Sequence, residues 1–177
     1  MVEIAGDKKL DKNYLEMHVA NLVKKLFNIQ STIYNRKKQN TMYLRILSKG
    51  IVNFLLEAGF KKGKKEQIDI PYWIILKEDY MLAFLKGIAD TDCSIHFRGG
   101  KYPIISFASK SEPLAKTIFG FLKKKGFILS NYYKEERVDK RGYNDTTVYS
   151  IKLNGEKNFD LWLDLINFRN KRHLNKI

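Results

Sequence analysis

The chain has 177 residues, 44% of them hydrophobic: enough for one ordinary domain or two small repeats, and too apolar for a disordered chain. Lysine and arginine number 33 against 19 acidic residues, a net charge of +14 that points to a polyanionic partner, most often nucleic acid. No run approaches about 18 consecutive apolar residues, MVEIAGDKKL lacks a signal-peptide pattern, and Cys93 is the sole cysteine, so the expectation is an intracellular, cytoplasmic protein with no membrane partner and no internal disulfide.

A short apolar piece, VEIAG, opens the chain. Leu15, Val19, Leu22, Val23 and Leu26 then recur at helical spacing and predict a helix over 12–27, with Asp11 as its N-cap. STIYN and TMYLRIL read as strands separated by the basic turn RKKQN. In the second strand Met42, Leu44 and Ile46 alternate with Thr41, Tyr43 and Arg45, one face buried and one polar. A helix over 49–58 ends at Gly59, a residue suited to the left-handed C′ position, with Phe60 just beyond. The basic loop KKGKKEQ and IDIPYWII lead into a helix over 78–91. SIHF and PIISFAS form a hairpin around RGGKY, and a helix over 111–125 starts at Ser111 and Pro113. Strands near 128–136 and 147–153, joined by VDKRGYND, precede a last helix over 156–166. From residue 78 onward the order is αββαββα.

Part of this grammar occurs twice. LRIL-SKGIVNFLLEAGF-KKGKK corresponds to SIKL-NGEKNFDLWLDLINF-RNKRH with two extra residues, and Asn167 stands where Gly59 stands. The expected division is therefore a partial first repeat over 1–76, lacking its opening helix, and a complete second repeat over 77–177.

The stretch FLKGIADTDCSIHF carries the chemistry. Its helix is apolar nearly all round and is expected to be buried. Ala83 and Gly87 share one face, where small side chains let a second helix approach closely. Two acids, Asp90 and Asp92, then stand at the helix C-terminus, the end where the backbone disfavours negative charge. Carboxylates gathered at such a point call for a cation, and Mg²⁺ takes one or two of them together with phosphate oxygens.

LKGIADTDC, with the GFKKGKK…IPYWI junction before it and LINFRNKRHLNKI at the end, resembles two-repeat members of the LAGLIDADG homing endonuclease family. The resemblance implies an α+β fold with a curved antiparallel sheet saddle and double-stranded DNA as partner. It implies phosphodiester hydrolysis with Mg²⁺ (or Mn²⁺). It makes Asp92 the catalytic, metal-ligating acid, and Asp90, Ala83 and Gly87 parts of a helix interface. Lys65, in GKK, matches a lysine near the scissile phosphate, with Lys64 close behind; Lys171 is its counterpart in the second repeat. The missing partner helix implies a homodimer through the 78–91 helix, or an N-terminal segment not present here. One departure stands out: Cys93 replaces the glycine that closes the motif, where a side chain can crowd the paired helix ends or shift a main-chain carbonyl that helps hold metal.

Strand alternation assigns the DNA-facing side chains: Tyr43 and Arg45, then Ser94, His96 and Arg98, then Ser150 and Lys152. The turns and strand ends add Arg36, Lys37, Lys38, Lys101, Lys134, Arg137, Lys140 and Arg141, of which the lysines mostly position phosphates. Two other readings stay open: a non-cleaving protein of the same fold (an RNA-splicing maturase or a DNA-binding regulator), and an unrelated basic α+β ribosome-associated protein.

Overall fold

The computed structural model describes every residue except 37, 38, 64 and 138–145 and the side chain of Lys65. The chain divides into two compact units: residues 1–60 with 168–177, and residues 61–167.

The first unit is a three-stranded antiparallel sheet backed by helices. Strand β1 (Val2–Asp7) and β2 (Thr32–Asn35) flank β3 (Thr41–Ile46) in the order β1-β3-β2. A π-helical stretch, Tyr14–Val19, runs into α1 (Ala20–Phe27), and α2 (Lys49–Glu57) follows β3. Met42, Leu44 and Ile46 are buried as their alternation demands. Leu44 and Ile46 pack with Val23 of α1 and Ile51 of α2, while Met42 packs with Tyr14 and Leu15. Ser48 caps α2 by accepting from the Ile51 N–H. At its other end Gly59 takes φ +90° and the Phe60 N–H donates to Leu55 O at 2.9 Å, the expected left-handed closure.

The tail 168–177 completes this unit through α7 (Lys171–Leu174), an element not expected from the sequence. Asp11, read as a helix cap, does something else. Its carboxylate accepts from the Asp7 N–H at 2.8 Å, from buried Asn170 Nδ2 at 2.8 Å, and from Arg172 Nη1 at 3.1 and 3.2 Å. A local rule saw a cap; partners 159 and 161 positions away claimed the side chain instead. Asp7 builds the turn that brings Asp11 there, accepting from the Lys9 and Leu10 N–H groups at 2.8 and 2.9 Å. Those backbone donors hold its carboxyl below the usual range.

The second unit is a four-stranded antiparallel sheet, order β4-β5-β7-β6. Its strands are β4 (Cys93–Arg98), β5 (Tyr102–Ser109), β6 (Tyr133–Arg137) and β7 (Thr146–Asn154). A short helix, α3 (Tyr72–Ile75), precedes α4 (Glu78–Thr91); α5 (Glu112–Lys124) and α6 (Glu156–Leu165) complete the αββαββα order. The inner sheet face, with Cys93, Ile95, Ile105, Phe107, Ile151 and Leu153, is buried together with Leu85, Ile118, Leu122 and Trp162 of the helices. Gly99 and Gly100, at φ +59° and +75°, make the tight turn between β4 and β5 that the Gly-Gly pair foretold. Ser111 caps α5 as expected, accepting from Leu114 N–H, and its hydroxyl donates to Ile68 O. Asn167, at φ +62°, takes the left-handed conformation expected of it.

The compact units and the expected repeats cut the chain at different places. Residues 61–76 fall with the second unit and 168–177 with the first. The helix over 78–91 is also less buried than its composition promised: Met81, Leu85, Ala89 and Asp90 face inward, whereas Ala83 and Gly87 are exposed.

Gly6 of β1 backs onto the Asp11 turn. A Cβ there would meet Asp11 Cβ and Leu15 Cδ1 at 2.9 Å, and both belong to the packed interior of the unit. Gly6→Ala is expected to lower unfolding stability by about 1–3 kcal/mol through overpacking, read by chemical denaturation.

Candidate nucleic-acid interface and metal-binding helix end

Asp92 is the C-cap of α4, its N–H donating to Ile88 O at 2.9 Å. The side chain is exposed. Thr91 Oγ1 lies 2.8 Å from Asp92 Oδ2 and 2.9 Å from Gly87 O, so one hydroxyl proton serves both and steadies the carboxylate. Asp90, by contrast, is 2% exposed. Cys93 is the first residue of β4 and is buried at 2% exposure. Ala83 and Gly87 form an open stripe: a Cβ built on Gly87 meets nothing within 4 Å among the described residues.

Strand β4 leads from the helix end into the four-stranded sheet, whose outer face carries most of the other candidates in this unit. Register places Ser94 opposite Ser106 and Ser106 opposite Lys152, with His96 opposite Ile104 and Arg98 opposite Tyr102. Ser94, His96 and Arg98 are exposed as expected, and the Ser94 and Ser106 hydroxyls are 2.8 Å apart. Lys101 is exposed in the turn beyond.

Ser150 lies on the same face as Lys152, as expected, yet is 2% exposed, because its hydroxyl donates to Glu135 Oε1 at 2.7 Å across the β6–β7 pair. Lys134 pairs with Tyr149, which puts it on the opposite face from Arg137 and Lys152.

Sequence reasoning missed Glu135, the acid within this basic face. It accepts from Ser150, from Arg137 Nη2 at 3.2 Å and from Lys152 Nζ at 3.3 Å. The Ser150 hydroxyl, more than the two cations, holds its carboxyl below the usual range despite partial burial. The alternation of YKEER offered a signal, since Tyr133, Glu135 and Arg137 share a face.

The three-stranded sheet repeats the theme. Tyr43 and Arg45 lie half-buried on its outer face. Arg45 Nε donates to Glu3 Oε1 at 2.6 Å, and the guanidinium sits 3.7 Å from the centre of the Tyr34 ring. Arg36 is exposed after β2. Lys171 is exposed at the start of α7, in the first unit. Lys65 begins a single 3₁₀ turn, Lys65–Gln67, in the second unit. Lys37, Lys38, Lys64, Lys140, Arg141 and the Lys65 side chain lie outside the described residues. A cavity of about 780 Å³ in the second unit, lined by Lys61, Glu66, Asp69, Lys110, Glu112 and Tyr149 among others, gathers none of the expected site residues.

The sequence signature of the LAGLIDADG-like domain matches residues 79–167, half of the chain, and the chain belongs to that family. The replication factor C small subunit of Methanocaldococcus jannaschii is 28% identical over 172 residues. That match takes in 97% of this chain and only 8% of the relative's length. Among solved structures, I-DmoI in complex with DNA and Mn is similar at a TM-score of 0.59 and 17% identity, covering 94% of this chain and 80% of that one. I-DmoI in complex with DNA and Ca is similar at 0.58 and 16%, covering 96% and 78%. The fold is thus the α+β LAGLIDADG fold built on antiparallel sheets. Among the described residues no helix is long and apolar enough to cross a membrane.

Glu135 supplies a test of the sheet geometry. Because its folded pKa is depressed, its stabilisation is present above the ordinary value of 4.5 and fades as pH falls through the lower folded value. Ser150→Ala is expected to raise the Glu135 pKa in a side-chain NMR titration, moving that loss to higher pH.

Proposed function

We propose that this chain is a homing endonuclease domain that binds duplex DNA through its outer sheet faces and hydrolyses phosphodiesters with a divalent metal. The observation that carries the reading is the exposed Asp92 carboxylate at the end of α4, beside a helix stripe with no side chain larger than methyl at Ala83 and Gly87. Among the described residues no group of three or more His, Cys, Asp or Glu converges. One accessible carboxylate therefore fits an ion shared with phosphate oxygens and a second motif acid, rather than a self-contained centre. Asp92 would hold Mg²⁺ or Mn²⁺, which when bound activates water and stabilises the leaving oxygen.

The second motif helix comes from a second copy of this chain or from a preceding segment of a longer polypeptide, docking on Ala83 and Gly87. Asp90 anchors the helix end. Lys65 and Lys171 supply positive charge to the phosphate undergoing attack. Arg36, Tyr43, Arg45, Ser94, His96, Arg98, Lys101, Arg137 and Lys152 contact the duplex, with Lys37, Lys38, Lys140 and Arg141 reaching its flanks. Lys134 and Ser150 serve indirectly, at the sheet edge and through Glu135. On this reading 1–76 is a first repeat without its opening helix and 77–177 the second. The domain works inside the cell, and the small share of the archaeal relative that it matches fits one carried within a host protein as an intron- or intein-encoded element.

A second reading keeps the fold and drops the cutting. Among the described residues no cluster of acids, histidines or cysteines gathers around Asp92, an arrangement a binding protein of this fold also accommodates. Asp92→Asn separates the two. On the endonuclease reading it reduces Mg²⁺-dependent cleavage of a DNA library by at least about 100-fold and leaves duplex affinity nearly unchanged. A parent that binds tightly and never cuts identifies the non-cleaving protein.

Gly87→Leu probes the helix stripe. With open space at that position the fold is expected to gain up to about 1 kcal/mol from helix propensity. Cleavage and assembly with the second motif helix are expected to fall together, read by thermal melting, a nicking assay and light scattering.

A further inference from the structure

Each sheet carries the same small device on its outer face. On the three-stranded sheet Arg45 is held by Glu3 at 2.6 Å and lies over the Tyr34 ring at 3.7 Å. On the four-stranded sheet Lys152 is held by Glu135 at 3.3 Å and stands 5.7 Å from the centre of the Tyr133 ring. Both cations sit on interior strands, β3 and β7. Arg45 comes four positions before Lys49, the first residue of α2, and Lys152 four before Glu156, the first of α6. The device therefore occupies one equivalent place in the two units.

Resting on the duplex-binding reading above, we propose that these tethered cations are base readers, each with its carboxylate selecting a G·C pair, and are not phosphate contacts. Three arguments lead there. A cation paired with a carboxylate displaces less counterion, fully so for Arg45 and in part for Lys152, whose acid Glu135 also holds Arg137, so it gains less from a phosphate. The acid and the ring beneath fix its direction before DNA arrives, which reduces the ordering cost of a directional contact. The leftover hydrogen-bonding capacity also matches base edges. Glu3 takes the Arg45 Nε–H and leaves the outer N–H groups for guanine O6 and N7. Glu135 accepts Ser150 and Lys152 on Oε1 and Arg137 on Oε2, three bonds where a carboxylate offers about four sites. The remaining site suits a cytosine N4 amine, while Lys152 serves guanine.

The experiment compares the full chain with Glu3→Gln, Glu135→Gln, Tyr34→Leu and Tyr133→Leu, using random-sequence duplex and the duplex selected by the parent from a randomised library. Affinity is measured across a salt series. Each Glu→Gln variant frees one cation for phosphate. It is expected to bind random DNA more tightly, steepen the salt slope by about one, and reduce the preference for the selected sequence about tenfold. Each Tyr→Leu variant keeps the charge and loses the platform, so its slope stays parental while its preference falls. A Gln variant that keeps the parental slope and preference overturns the proposal for that sheet. So does one that gains affinity equally for all sequences, or a parent that shows no preference at all. A parent that binds no duplex at any salt sinks the DNA-binding reading itself, a result distinct from unmoved variants of a parent that binds.

Discussion

Everything proposed for the second unit hangs on how α4 becomes β4. Ala89 and Asp90 turn inward on the helical period, and Cys93 turns inward on the strand period. Two burial requirements only three residues apart leave Asp92 one direction, toward solvent. The chain need not stabilise an exposed anion against the helix dipole through core packing; a hydroxyl from Thr91 and surrounding water suffice. The junction thus fixes a carboxylate at a defined point beside a basic sheet while its neighbour Asp90 is sealed inside. On the proposed reading, that carboxylate is free to meet an external cation.

The basic character of the chain is less uniform than its net charge implies. On both outer sheet faces the central cation is paired with an acid from an adjacent strand, Glu3 for Arg45, and for Lys152 Glu135, which it shares with Arg137. Other cations on or beside these faces, such as Arg36 and Lys101, are exposed. Surface ion pairs of this kind contribute little to stability, a few tenths of a kcal/mol up to about 1. Their value lies in direction. A guanidinium laid on a tyrosine and pinned at one nitrogen points somewhere; a solvated lysine does not.

Local chemistry was legible in the sequence, and non-local pairing was not. The helix and strand order, the buried alternation of Met42, Leu44 and Ile46, the Gly99–Gly100 turn and the left-handed ends at Gly59 and Asn167 all follow from rules acting over a few residues, and each is present. Ser150 faces the side that alternation gives it, but its burial depends on Glu135 of β6, and no pattern within VYSIKL contains that neighbour. Lys134 lies one phase out from Arg137, on the opposite face of β6, a placement that depends on the β6–β7 register. Asp11 looked like a cap because its neighbours fit one; its real partners come from the other end of the chain. At the site, the motif located Asp92, and alternation found the exposed triplet of β4. The acids that organise the two faces were invisible to a reading that sought only positive charge.

The tie between Asp11 and the Asn170–Arg172 segment has a consequence for how the molecule is made. The second unit is one uninterrupted stretch, whereas the first draws on residues 1–60 and 168–177, on either side of it, and closes only when the two meet. The second unit can therefore form from one contiguous segment, while the first needs a contact across it. Until then a buried-to-be carboxylate stays hydrated and the early sheet lacks its seal. Completion of the first unit is therefore a late event, set by loop closure across the whole inserted stretch and not by the local propensities of its own strands.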